Sequence, residues 1–146
     1  MEGKAVARVG KVSGKTLEIN FFNINDKYYF VDLPGYGYAQ KGLDQREMIR
    51  SMIIGYLTNK NFQPRTVAVV LDSKAGLTDF DREVLDILSD NNHHAKIIVT
   101  KTDKVTQKEL SQLVSSMHKE CEGIEILQYS SVNERGKEKL LEKLIG

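Results

Sequence analysis

A single cysteine, Cys121, stands among 146 residues, so no internal disulfide can form. A lone thiol of this kind reads as a small, partly buried residue rather than a reactive one. No apolar run approaches the roughly 20 residues that a membrane-spanning helix needs. Nor does a long apolar stretch follow Met1-Glu2-Gly3-Lys4, so nothing there reads as a secretory signal. The expectation is a cytoplasmic protein without a membrane partner. An excess of charge is lacking too, because 21 Lys and Arg against 20 Asp and Glu leave a formal +1. That balance gives no global attraction to nucleic acid, and DNA is not expected as a partner. Repeats and low-complexity linkers are absent, and residues 1–146 read as a single domain.

What is present is an alternation of short strands and helices. Thr16 to Asn25 is rich in β-branched and aromatic residues, a turn follows at Asn25-Asp26-Lys27, and YYFVDLPG reads as a second strand. Together these predict an antiparallel hairpin. Asp44 to about Asn59 is helical, with Met48, Ile49, Met52, Ile53 and Leu57 at apolar positions. Thr66–Asp72 is a nearly all-apolar strand, as in a parallel sheet covered on both faces. Thr78 is placed to cap the next helix, and Ala95–Thr100 is the following strand. Thr106 and Glu109 have capping-box spacing before a helix ending near Glu120. Ile124–Tyr129 is the last strand and Lys137–Ile145 the last helix. The fold class is α/β: a doubly wound, mostly parallel sheet with helices on both faces and one antiparallel hairpin.

Ligands of such sheets sit beyond the carboxyl ends of the strands. Asp32, Asp72, Lys101-Thr102-Asp103 and Ser130-Ser131 all fall at such ends. The strongest signal is Thr100-Lys101-Thr102-Asp103, directly after an apolar strand. A carboxylate there can accept from the N1 and N2 hydrogens of guanine, whereas adenine would leave it unpaired, and an unpaired polar group is what gives strong discrimination. Lys101 would lay its aliphatic stem along the base. Downstream, Ser130, Ser131 and Val132 offer backbone N–H groups for guanine O6 and small side chains for a close approach. Asp32-Leu33-Pro34-Gly35 ends the second strand. Asp32 can hold a Mg²⁺-bound water, and the Gly35 N–H can meet a γ-phosphate because no side chain blocks it. Gly35 and Gly37 would let the following loop change its backbone angles.

Gly10 to Thr16 imitates a phosphate-binding loop, but only three residues separate its glycines where the motif needs four. A β segment also follows directly, where a phosphate loop would open a helix. Thr16 is better read as the hydroxyl of a switch loop, placed to ligate Mg²⁺. Among weaker features, His93-His94 reads as a solvated helix end rather than a metal site. Lys4, Arg8, Lys11 and Lys15 form a solvated basic stretch or touch RNA. Tyr36 and Tyr38 either stack on a partner or pack at the sheet edge.

The order of these segments, with DLPGYGYA (Asp32–Ala39) and TKTDK (Thr100–Lys104) as the specific pair, resembles the EngB family, also called YihA or YsxC, of bacterial Ras-like GTPases. The resemblance runs from about Ala5 to the end of the chain. It implies GTP or GDP with Mg²⁺ as ligand, slow GTP hydrolysis, a role in assembling the large ribosomal subunit through its rRNA and proteins, and a link to cell division and septation. Position by position it assigns Gly14, Lys15 and Thr16 to switch I, with Ser13 where the family has Pro. It assigns Asp32 to Gly35 to the Mg²⁺ and γ-phosphate side, Thr100, Lys101 and Asp103 to guanine, and Ser130 and Ser131 to closing over it. Tyr36 stands where many Ras-like proteins carry a water-orienting Gln, which implies slow hydrolysis dependent on a partner.

Against the family pattern, the first, central strand and the phosphate loop are missing before Ala5. The expectation is therefore weak or absent GTP binding and little hydrolysis by the chain as given. Two other readings stay open: a binding module for protein or RNA without nucleotide hydrolysis, and a kinase or ATPase using Gly10 to Thr16. The hairpin after Thr16 argues against the latter, and the guanine-reading residues argue against the former.

Overall fold

The computed structural model describes residues 7–14, 17–36 and 42–146. Strand β1 (Ala7–Gly14) pairs antiparallel with β2 (Leu17–Ile24), which pairs antiparallel with β3 (Tyr28–Asp32). The expected hairpin is therefore the second half of a three-stranded meander. Asn25 and Asp26 both take φ of 53°, and Lys27 N donates to Ile24 O at 3.1 Å. Two successive left-handed residues match the twist of a two-residue hairpin, and Asn and Asp tolerate that conformation best. Asn23 secures the turn from its side, donating from Nδ2 to Asp26 Oδ1 and accepting from Asp26 N.

Helix α1 (Leu43–Thr58) buries Ile49, Ile53 and Tyr56, spaced four and three apart along one face. The Tyr56 ring meets Phe21 edge-on at 6.5 Å, and burial pushes its phenol above the ordinary value. Residues to Tyr56 form one unit of the chain, and Leu57–Gly146 forms a second.

In the second unit β4 (Val67–Asp72), β5 (Ala95–Thr100) and β6 (Glu125–Gln128) form a parallel sheet in that order. Every residue of β5 from Lys96 to Val99 is buried, as a central strand requires. The reading of β4 as covered on both faces needs correction. Val69 and Leu71 are buried, but Ala68 and Val70 are exposed, Val70 at 59%. Among the described residues β4 is an edge strand of this sheet, and its apolar run buries alternate residues only.

Helix α2 (Asp79–Asp90) is capped by Thr78 in a full capping box with Asp81. Helix α3 (Gln107–Glu120) has the expected box between Thr106 and Glu109, whose two hydrogen bonds to the carboxylate hold Glu109 below the ordinary range. Helix α4 (Lys137–Ile145) closes the chain. Leu85, Leu88, Ile97, Val99, Met117 and Leu127 make the core, each fully buried side chain contributing about 1.5–3 kcal/mol. Lys96 is buried beside them and is tolerated because its ammonium reaches Glu125 at 2.5 Å.

Candidate nucleotide site

The parallel register pairs Asp72 with Thr100, so β4 and β5 end at the same level. Thr100 Oγ1 donates back to Leu71 O at 2.9 Å, and Ser73 N donates to Thr100 O at 3.0 Å. Ser73, itself buried, donates its hydroxyl to Lys101 O at 2.8 Å. These bonds hold the backbone where Lys101 turns left-handed, with φ 55° and ψ 37°. A lysine in that conformation stores roughly 1–3 kcal/mol of strain, which surrounding structure must overcome. The turn that follows closes with Lys104 N donating to Lys101 O at 2.9 Å.

The reversal sends Lys101 across to Asp72, Nζ to Oδ2 at 2.8 Å. That bond, with a second from Lys74 N, holds the Asp72 carboxyl below its usual range. It also brings Asp103 to Ser130. The serine hydroxyl, wholly buried, donates to Asp103 Oδ1 at 2.6 Å, and this bond foremost lowers the Asp103 pKa, with the positive charge of Lys104 adding to it. The Asp103 side chain is 15% exposed. Serine occupies one of about four acceptor positions on the carboxylate, so others can face a pair of N–H donors on a flat ring edge.

Ser130 is fixed by its own neighbours. Tyr129 N donates to Val99 O at 2.8 Å, Ser130 N to Arg135 O at 3.1 Å, and Val132 N to Ser130 Oγ at 3.3 Å. Gly136 closes this loop at φ 87°, where an added Cβ would lie 2.1 Å from Gln128 O. Only glycine fits. Ser131 and Val132 are exposed beside Ser130, Val132 at 74%. Thr100, Lys101, Thr102, Asp103, Ser130, Ser131 and Val132 therefore form one constellation, from two strand ends.

The remaining expected residues lie in the first unit. Asp32 ends β3 opposite Asn20 and is exposed; Leu33 and Pro34 are half-buried. Gly35 is exposed, lacks a positive φ, and an added Cβ would meet nothing within 4 Å. Tyr36 is half-buried. Gly14 ends β1 opposite Leu17, and Gly10 to Gly14 is extended, paired strand rather than a loop opening a helix. Lys15, Thr16, Gly37 and Tyr38 lie outside the described residues. His93 is engaged structurally: its Nε2 lies 2.7 Å from Leu57 O, near the C-terminus of α1.

Sequence reasoning did not single out Ser73, nor the pairing of Asp72 with Lys101. A serine directly after a strand-ending aspartate was the available signal. Among the described residues, no helix is long and apolar enough to cross a membrane.

This arrangement, a parallel sheet whose strand ends carry an aspartate locked by a buried serine, has the architecture of a GTPase domain. A crystal structure of a "probable GTP-binding protein engB" superposes with a TM-score of 0.70 at 17% identity, over 80% of this chain and 74% of that one. The elongation factor SelB from Methanococcus maripaludis, bound to a GTP analogue, gives 0.66 at 20% identity, over 88% of this chain and 27% of the other. At those identities the likeness is one of fold. In sequence, residues 1–103 match the family model described as 50S ribosome-binding GTPase. The protein of Thermosipho africanus named "Probable GTP-binding protein EngB" is 33% identical over 144 residues, 97% of this chain and 74% of that protein. Its namesake in Prosthecochloris aestuarii is 36% identical over 142 residues, 97% of this chain and 73% of its own. The chain belongs to the EngB family of GTP-binding proteins.

Proposed function

We propose that the chain recognises the guanine base of GTP and GDP through Asp103, with Lys101 along the ring and Ser130 to Val132 closing over it. The observation that carries this reading is the Ser130–Asp103 hydrogen bond, which aims a deprotonated carboxylate outward from a buried anchor. A carboxylate so held accepts from the N1 and N2 hydrogens of guanine, whereas adenine presents an acceptor at N1 and no amino group at C2 on that edge. The strain at Lys101 supports the same reading, since left-handed lysine is kept only where surrounding structure insists on it.

In the other unit, Asp32 and Gly35 suit the phosphate side. Among the described residues no neighbour would meet a Cβ at position 35, so the absent side chain leaves room for an outside group, here a γ-phosphate. The Asp32 carboxylate would hold a water of Mg²⁺, and Thr16 and Gly14-Lys15 would belong to the switch that meets the nucleotide. Mg²⁺ would neutralise charge on the phosphates. Tyr36 cannot orient water as an amide does, so hydrolysis would be slow without a partner. The family description, 50S ribosome-binding GTPase, supports the large ribosomal subunit as that partner; a role in assembling that subunit, a place in the cytoplasm and a link to cell division belong to the same proposal.

The test is a competition. Fluorescent GDP is displaced by unlabelled GDP and ADP, and the ratio of their affinities reads the base alone, whatever the phosphates contribute. GDP should win by about a hundredfold or more. Equal displacement would remove the guanine reading. Co-sedimentation with large and small ribosomal subunits tests the partner, and association with the large subunit alone is expected.

A further inference from the structure

Two adjoining hollows follow helix α3. One, of about 560 Å³, runs along the helix to His118 and Lys119. The other, of about 310 Å³, lies at its opposite end beside Arg135 and Lys139. Both share Leu110 and Gln128, so they form one trough under α3. From Gln107 to Lys119 a helix rises roughly 18 Å.

Neither hollow has a carboxylate in its lining, although acids nearly equal bases in the chain. Three carboxylates from the neighbouring elements are engaged with other cations. Glu125 holds Lys96 and Lys143, Glu134 holds Lys137, and Glu120 holds Arg82. Among the described residues Lys119, Arg135 and Lys139 form no ion pair. The Arg135 guanidinium meets only a neutral group, the Gln107 amide oxygen, at 2.9 and 3.1 Å once that amide is oriented to accept. A chain of formal charge +1 has thus sorted its charge, leaving, among the described residues, three cations without an ion pair along one concave face.

We infer that this trough binds the phosphate backbone of an RNA helix. Phosphates match cations that lack internal partners, and their binding releases counterions. No Phe, Tyr or Trp lines the trough, and its lining ring, the His118 imidazole, sits at one end, so successive unstacked bases would find no stacking platform, which favours a duplex over a single strand. The choice of RNA over an acidic protein rests on the large-subunit partnership proposed above.

The experiment measures anisotropy of a labelled RNA hairpin titrated with the intact chain at graded salt. Log affinity should fall against log salt with a slope of about −2.7, from three neutralised phosphates. Lys119→Ala with Lys139→Ala should weaken binding about tenfold at low salt and flatten the slope by about two. Lys108→Ala, exposed on the same helix but outside the trough, should change neither. An equal effect of Lys108→Ala, a slope near zero, tighter binding of a single strand, or equal competition by a poly-glutamate peptide would each overturn the inference. The double variant should keep its preference for GDP over ADP, and Asp103→Asn should keep its RNA slope. If the double variant still sediments with large subunits as the parent does, this inference fails while the ribosomal reading stands.

Discussion

Ser130, buried to its last atom, donates its hydroxyl to Asp103 at 2.6 Å across 27 positions of sequence. The bond joins the loop after β5 to the loop after β6, and it favours the ionised carboxylate. A carboxyl whose folded pKa is depressed stabilises the fold above its unfolded pKa, and that stabilisation is lost as pH falls through the folded value. Ser130→Ala should therefore be less stable than the parent at neutral pH, with the difference shrinking as the buffer is acidified past the depressed Asp103 pKa. Urea denaturation over a pH series measures it. A difference independent of pH would mean that the bond does not bias ionisation.

Lys101 separates stability from recognition. Its left-handed backbone costs roughly 1–3 kcal/mol as lysine, while its exposed ion pair with Asp72 returns about 0.2–1 kcal/mol. Lys101→Gly should leave stability within about 1 kcal/mol of the parent or raise it. The same change should weaken guanine-nucleotide affinity, because the stem along the base is gone. Thermal unfolding and nucleotide titration of one variant read the two effects apart.

Gly136→Ala should be the most damaging of the small substitutions. It places a Cβ 2.1 Å from a backbone oxygen and forces alanine to φ 87°. A loss of roughly 2–4 kcal/mol is expected from strain and overlap together. Calorimetry measures it, and a loss under about 1 kcal/mol would mean that the loop relaxes freely.

Thr106→Ala removes one half of the capping box at α3, the hydroxyl that receives Glu109 N, together with that hydroxyl's own bond to the Glu109 carboxylate, while the residue 106 backbone N–H still reaches the carboxylate. It should cost about 1–2 kcal/mol, read by thermal unfolding. Thr106→Ser should restore most of that, because the hydroxyl alone makes both bonds.

The parallel half of the fold was legible because its signals are local. Ala95–Thr100, Lys137–Ile145 and the Thr106 box follow from apolar runs, caps and spacing, and each lies where the sequence puts it. β1 was not, because Ala7–Gly14 contains two glycines and three polar side chains and becomes a strand only by pairing with β2. Nor could the run Val67–Leu71 say that, among the described residues, only alternate positions are buried, since neighbouring strands decide that. At the site, Asp103 and Ser130 were readable from strand ends. The left-handed Lys101, and Ser73 beneath it, were not, because contacts distant in sequence impose them.

The central claim, that Asp103 reads guanine, is tested most directly by exchanging the base together with the side chain. Xanthine carries an acceptor at C2 where guanine carries an amino group, and the amide that Asp103→Asn introduces would donate to it. That variant should reverse the preference from GDP to xanthosine diphosphate, by about a hundredfold in the affinity ratio relative to the parent. An Asp103→Asn protein that binds GDP like the parent and gains nothing for the xanthine nucleotide would contradict the account.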